Sequence, residues 1–285
     1  MSIPACIGTV FLLCGLGYAG ILIREFLQNR EALRQAPGDL RLLVPAEFLV
    51  FFLCTLGVSD FLLNTLLIRK LKLSDDKGLP ACLIVSTLVP GGFLSFSYLR
   101  AENTADTLTL ILFMLFLVIG AAIGGRAANR MDGRTLRKIL GIALLVSMAA
   151  LIVKMLVTAG VTGSAAGFRG LRLVIMCVLC LGIGFLNMMG VPGKPITTAM
   201  LLLLGMSPVA ALTLTIVLGS IIPMSSGFSL IKAGRYNRKL ALAAMTAGSA
   251  AAVLGVMLAV SLDPLLLNIL LLFVMLVAVI SILKE

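Results

Sequence analysis

The chain has 285 residues, of which 60% are hydrophobic and 12% are charged, and its mean hydropathy is +1.16. About a quarter of the residues in soluble domains are charged, so the composition excludes a soluble fold and predicts an integral membrane protein. The net charge of +11 does not indicate nucleic-acid binding, because the basic residues cluster in loops between apolar segments, where they report membrane orientation. The chain contains no histidine, which removes the usual zinc ligand and general base, and we expect no cofactor.

The apolar segments have roughly the 20-residue length of membrane-spanning helices and lack the alternation typical of outer-membrane barrel strands. They predict an all-α, polytopic inner-membrane helical bundle whose segments are residues 3–23, 42–68, 79–99, 107–125, 139–157, 173–204, 209–231, 240–260 and 265–283. We divide the chain into an N-terminal span with a cytoplasmic loop, a first transmembrane repeat, a connector and a second transmembrane repeat, at residues 1–41, 42–157, 158–172 and 173–285.

The segment 173–204 is interrupted by the stretch Gly190-Val191-Pro192-Gly193-Lys194-Pro195. As one helix, this segment would be about 48 Å long, whereas the hydrocarbon core of a bilayer is about 30 Å thick. We therefore expect the helix to break at the glycines and prolines. Backbone groups freed inside a membrane need protein or water as partners, so the break is expected to line a cavity.

The same pattern occurs 133 residues earlier in the chain. Gly57-Val58-Ser59-Asp60 aligns with Gly190-Val191-Pro192-Gly193, Asn64-Thr65 with Thr197-Thr198, and Pro90 with Pro223, without gaps. This alignment indicates an internal duplication of one membrane unit, with a broken first helix in each copy. Kinks that serve only packing are the alternative, but they do not explain a fixed offset.

The loop charges indicate how the two units are oriented. Cytoplasmic loops carry the Lys and Arg excess, and one orientation places 18 of the 23 basic residues inside, with the N-terminus outside and the C-terminus in the cytoplasm. This orientation requires each broken segment to return to the side it entered, which relates the two units by inversion. Inverted repeats with discontinuous helices are typical of secondary transporters, which bind substrate near the bilayer midplane.

The broken segments also suggest which residues bind substrate. The start of a helix attracts oxyanions through its free N–H groups and dipole, and hydroxyl or amide side chains follow each break. The candidate substrate-binding residues are Ser59, Asp60, Asn64, Thr65, Gly190, Gly193, Lys194, Thr197, Thr198, Ser225 and Ser226, the last two placed after a second break at Pro223. For each hydroxyl, a hydrogen bond to the preceding helical turn or to a neighbouring helix is the alternative.

Asp60 and Lys194 are the strongest candidates, because charge within the hydrocarbon region costs about 2.5–3.5 kcal/mol on insertion scales. Their aligned positions are adjacent, so inversion brings both towards the midplane. The hypothesis is that Lys194 binds an anion and Asp60 carries a coupled proton. A static ion pair, or two charges exposed to water on opposite sides, is the alternative.

The small-residue pattern of the second half resembles that of the TauE/SafE sulfite-exporter family. The residues that carry the likeness are Gly182-Ile183-Gly184, Ala210-Ala211, Gly227, Ala233-Gly234 and Ala247-Gly248-Ser249-Ala250, leading to Gly255. The resemblance extends over residues 42–283 in two passes. It implies transport of small sulfur-containing anions, such as sulfite and organosulfonates, across the bacterial inner membrane. The chain departs from the family at the breaks, where Pro192-Gly193-Lys194-Pro195 and Ser59-Asp60 replace consecutive glycines.

Other classes of function are weighed against this one. An anion channel or a membrane assembly factor without transport activity is the alternative, whereas an enzyme is not expected because the sequence has no recognisable nucleophile or metal motif. Cys177 and Cys180 have redox spacing, but packing in mid-helix explains them as well. The spaced glycines Gly120 and Gly124, and Gly248 to Gly255, serve either the bundle or a homodimer. The expected partners are therefore a small anion, the lipid bilayer, coupled protons and a second copy of the chain.

Overall fold

The computed structural model describes residues 2–100, 105–128 and 163–261. Within these residues it is helical, apart from one isolated bridge between Ala165 and Met206. The helices are α1 (Ile3–Gln28), α2 (Arg30–Gln35), α3 (Leu40–Thr55), α4 (Asp60–Lys70), α5 (Leu79–Arg100), α6 (Thr107–Ala128), α7 (Gly170–Asn187), α8 (Gly193–Leu203), α9 (Pro208–Ala233), α10 (Arg238–Ala243), a π turn (Ala244–Gly248) and α11 (Ser249–Ser261). The expected spans 139–157 and 265–283 lie outside the described residues.

Among the described residues, six helical stretches are long and apolar enough to cross a membrane, and they confirm the prediction of a multi-pass helical membrane protein. They are Ile3–Gln28, Leu79–Arg100, Thr107–Ala127, Gly170–Asn187, Pro208–Ala233 and Arg238–Leu258. Two of them, α5 and α9, form the centre of the bundle, with most of their residues buried.

The expected helix break at Pro223 is wrong. The helix α9 runs through Pro223, as α5 runs through Pro90. Proline is tolerated inside membrane helices where neighbouring groups compensate for the lost hydrogen bond, and here α5 and α9 pack closely. Ser220 Oγ on α9 donates to Gly91 O at 2.6 Å and accepts from Ser95 Oγ at 2.7 Å.

Three basic loop regions meet at one end of the bundle, which we call the basic end. Arg238 at the start of α10 forms an ion pair with Glu25 of α1 at 2.8 Å. Asn237 Nδ2 donates to Pro37 O at 2.9 Å and to Leu73 O at 3.0 Å. The residue before α3 and the residues after α4 are therefore held at the same end.

The other end of the bundle, which we call the opposite end, joins the first and second halves of the chain. Asp106, before α6, pairs with Arg169, before α7, at 2.7 Å, and the guanidinium holds the pKa of Asp106 below its usual value. Ser207 N donates to Ala165 O at 2.8 Å, which places the loop between α8 and α9 at this end as well.

Small residues allow close helix contacts inside the chain. A Cβ added at Gly120 or Gly124 of α6 would overlap backbone atoms of α7, and a Cβ added at Gly248 or Gly255 would overlap side chains of α3. These glycines therefore serve the packing of the bundle.

Candidate functional site

Two short helices, α4 and α8, begin inside the bundle after the same kind of turn. Gly57 and Gly190 have φ values of +87° and +91°, in the left-handed region that favours glycine. Val58 N donates to Leu53 O, and at the aligned position Val191 N donates to Leu186 O, both at 3.2 Å. This hydrogen bond closes the preceding helix in the manner of a Schellman motif. The chain can then turn and start a new helix at depth.

The starts of α4 and α8 are joined by a buried ion pair. Lys194 Nζ lies 2.6 Å from Asp60 Oδ1, and the two side chains are 4% and 0% exposed. Thr87 Oγ1 of α5 donates to Asp60 Oδ2 at 2.9 Å, and Lys194 Nζ contacts Cys54 Sγ at 2.8 Å. The expectation that these two charges come together agrees with this geometry, as does the alternative of a static ion pair, whereas the alternative of two water-exposed charges does not.

A glycine on α9 leaves the space that the lysine side chain occupies. A Cβ added at Gly219 would lie 2.6 Å from Lys194 Cε and 3.0 Å from Lys194 Nζ. Isolated charges are costly in a dry interior, whereas a hydrogen-bonded pair is tolerated. The site is therefore a preformed, fully enclosed pair rather than two separate charges.

The remaining polar candidates at α4 and α8 are buried, and they lie near Asp60 or Lys194 in the sequence. Ser59 Oγ caps α4 by accepting from Leu62 N at 3.4 Å. Thr65 and Thr198 donate to the preceding turn, and Thr198 also contacts Thr215 at 3.0 Å, so for these two hydroxyls the alternative interpretation is what the structure shows. Thr197 Oγ1 is buried and has no hydrogen-bond partner among the described residues.

Ser225 and Ser226 lie elsewhere, in a cavity of about 740 Å³ between α5, α6 and α9. Both hydroxyls donate to Ile222 O. The cavity is also lined by Met188, which follows α7, and by three basic residues of the basic end. These basic residues are Lys77, Arg126 and Arg235. This wide, positively charged vestibule runs from the basic end to the depth at which α7 stops.

Sequence reasoning missed a second buried carboxyl group. Glu47 of α3 is 0% exposed, and Asn64 Nδ2 of α4 donates to Glu47 Oε2 at 3.5 Å. An acidic residue within an apolar segment was a usable signal. Cys54 and Thr87 were also missed, and for them no signal exists in the sequence, because only the tertiary fold brings them to the ion pair.

A family model described as sulfite exporter TauE/SafE matches residues 65–282. The chain belongs to this family. Its members are membrane transporters, so the chain is a membrane transporter and not an enzyme. The matched region includes Lys194, the residues of the vestibule and residues 173–282 of the second half. Neither the curated proteins nor the solved structures gave a match.

Proposed function

We propose that the protein is a secondary transporter that carries a small sulfur-containing oxyanion, such as sulfite or an organosulfonate, across the bacterial inner membrane, coupled to protons. The observation that carries this proposal is the buried pair of Asp60 and Lys194 at the starts of α4 and α8. Charge at this depth is retained where it serves transport. The site joins the two halves of the chain, as in other secondary transporters.

We propose that the two units form an inverted repeat with broken helices, which suits this mechanism. The hydrogen bond from Leu73 N to Ile68 O after α4 recurs after α8 as Met206 N to Leu201 O, again 133 residues later. The contacts of Asn237 place the outer ends of α3 and α4 at the basic end, and those of Ala165 place the end of α8 at the opposite end. Two units that enter from opposite sides can exchange access to a site between them.

Lys194 is the group that we propose binds the anion. It lies in the first turn of α8, where backbone N–H groups and the helix dipole favour negative charge. In this state the Lys194 ammonium is paired with the Asp60 carboxylate, so an incoming oxyanion has to displace that carboxylate. The basic vestibule, through Lys77, Arg126 and Arg235, raises the local concentration of anions at one entrance.

The basic end is proposed to be cytoplasmic, with the N-terminus outside and the C-terminus inside. Cysteine labelling in intact cells tests this orientation, using Glu31→Cys at the basic end and Ser164→Cys at the opposite end. The exposed native thiols Cys6 and Cys14 are first replaced by alanine. We expect an impermeant maleimide to label Ser164→Cys in intact cells and Glu31→Cys only after permeabilisation. The reverse pattern would invert the proposed topology.

Transport itself is tested with purified protein in liposomes. Uptake of labelled sulfite, thiosulfate, sulfoacetate and acetate is measured with and without a pH gradient. We expect saturable uptake of at least one sulfur oxyanion, enhanced by the gradient, and little uptake of acetate. Flux without saturation or coupling would indicate an anion channel, and no flux of any anion would indicate an assembly factor.

A further inference from the structure

Glu47 and Asn64 form a buried polar pair that the proposed anion site does not use. Glu47 is 0% exposed and Asn64 is 1% exposed. One contact joins them, from Asn64 Nδ2 to Glu47 Oε2 at 3.5 Å. Among the described residues, the other oxygen of each side chain, Glu47 Oε1 and Asn64 Oδ1, has no hydrogen-bond partner. Two buried acceptor atoms are therefore left facing no donor.

No cation neutralises Glu47 among the described residues. Asp60 on α4 is paired with Lys194 of α8, and Arg238 at the start of α10 is paired with Glu25. Lys239 donates to Gly38 O at the basic end. The other charged side chains of α3 and α4 are exposed at that end, and they are Arg41, Arg69 and Lys70. The π turn and α11 carry no charged residue.

An ionised carboxylate in such a position would be an unpaired charge in a dry interior, which is among the least tolerated arrangements in a protein. A proton on Glu47 removes the charge and supplies the missing donor. Asp60 differs, because both of its oxygens are engaged, one by the Lys194 ammonium and one by Thr87. Asp60 therefore has a cation beside it, which Glu47 lacks among the described residues.

We propose that Glu47, rather than Asp60, is the residue that binds the coupled proton. This inference rests on the proposed function of proton-coupled anion transport. The proton is taken from water on one side of the membrane and released to water on the other, with no other chemical change. A metal cation does not fit equally well, since among the described residues no three Cys, Asp or Glu side chains come together to hold one.

The position of Asn64 explains how proton binding would reach the anion site. Asn64 lies four residues after Asp60, one turn further along α4, so a shift of α4 moves both residues together. Glu47 lies seven residues into the sixteen-residue helix α3, or about 10 Å from its outer end. Protonation of Glu47 thereby biases the hairpin of α3 and α4 that holds the ion pair to Lys194.

The test compares Glu47→Gln with Glu31→Gln, which removes an exposed acid of α2. Both variants are reconstituted with sulfite, and two quantities are measured: exchange of labelled sulfite at equal pH, and accumulation driven by a pH gradient. One coupled proton supports about tenfold accumulation per pH unit, the factor equivalent to about 1.4 kcal/mol. We expect Glu47→Gln to retain exchange and lose this tenfold accumulation, and Glu31→Gln to retain both.

Accumulation by Glu47→Gln that equals the wild-type value would overturn the proposal. A measurement that does not depend on transport is the infrared band of a protonated carboxyl group in the detergent-solubilised protein. We expect a band in the wild type at neutral pH that disappears in Glu47→Gln and persists in Glu31→Gln. If no anion is carried by the wild type, the proposed function fails, and this band still decides whether Glu47 binds a proton.

Discussion

The two helices that meet inside the bundle start in opposite electrostatic ways. The first residue of α4 is Asp60, and Ser59 caps that helix with its side chain. The second residue of α8 is Lys194, and the residue before that helix, Pro192, makes no side-chain capping hydrogen bond. A carboxylate near a helix start is favoured by the helix dipole, whereas an ammonium there is disfavoured.

This difference shows which of the two starts needs a negative charge from elsewhere. The start of α4 carries its own anion, and the start of α8 combines backbone N–H groups with a cation. In the present state Asp60 supplies the missing anion at 2.6 Å. The comparison therefore supports our proposal that the anion binds at the start of α8, where it would compete with Asp60 for Lys194.

The largest expected effect is that of Lys194→Met. The substitution leaves Asp60 buried without a cation, and breaking a buried pair on one side typically costs about 3–5 kcal/mol. It also removes the group proposed to bind the anion. We expect a marked fall in the unfolding temperature in detergent and no sulfite binding or transport.

The double variant Lys194→Met, Asp60→Asn separates these two effects. Removing both charges eliminates the unpaired carboxylate, so most of the lost stability is expected to return. Transport is expected to stay absent because the cation is gone. Recovery of transport in the double variant would contradict the role of Lys194 in binding.

Asp60→Asn tests whether Asp60 competes with the anion for Lys194. Stability without ligand is expected to fall, because Lys194 loses its partner, while sulfite binds without having to open the pair. For each 1.4 kcal/mol that opening the Asp60–Lys194 pair costs in the wild type, sulfite should bind roughly tenfold more tightly to the variant. The measurement is the rise in unfolding temperature with sulfite concentration, which depends on the dissociation constant. Weaker binding than in the wild type would show that Asp60 assists the anion rather than competing with it.

The sequence predicted much of this site because glycine, proline and charge are rare and costly in membrane helices. The fixed offset between Gly57 and Gly190 indicated both turns, and the adjacent aligned positions of Asp60 and Lys194 suggested that these two charges lie close together, as they do. The periodicity of apolar residues could not show that α9 continues through Pro223, since the contacts between α9 and α5, such as that of Ser220 Oγ with Gly91 O, are tertiary. For that reason Ser225 and Ser226 were expected to follow a break, whereas they lie within α9.

Glu47 was missed for a different reason. Its position in the aligned second unit is Cys180, so a search for features that repeat excludes it. A feature present in only one unit breaks the symmetry of a duplicated protein. Asp60, Lys194 and Glu47 are each present in only one unit, and they are the three charged residues buried within the described helices.

A third substitution tests whether the lysine needs its present position. Gly219→Ala places a Cβ 2.6 Å from Lys194 Cε, and overpacking of this kind costs about 1–3 kcal/mol. The flexible lysine side chain is expected to move away from Asp60 and reduce transport, with a smaller loss of stability than Lys194→Met. Gly182→Ala is a matched control, because a Cβ there meets nothing within 4 Å. Equal transport rates in the two alanine variants would show that the packing of Lys194 against α9 does not matter.

The smallest effect on stability is expected at Thr197, where stability and function should change in opposite directions. Thr197 lies three residues after Lys194 on α8, so the two share a helix face. Its hydroxyl is buried without a partner among the described residues, and replacing a buried, unpaired hydroxyl by a methyl group of the same shape is close to neutral or stabilising. If this hydroxyl donates to the bound oxyanion, Thr197→Val loses a hydrogen bond to a charged group, about 1.5–3 kcal/mol, or roughly 10- to 150-fold in affinity.

Thr65→Val is the control at the position aligned with Thr198, since its hydroxyl already bonds Phe61 O. Unchanged sulfite affinity in Thr197→Val would leave the first turn of α8 with Lys194 and the backbone as its only anion-binding groups.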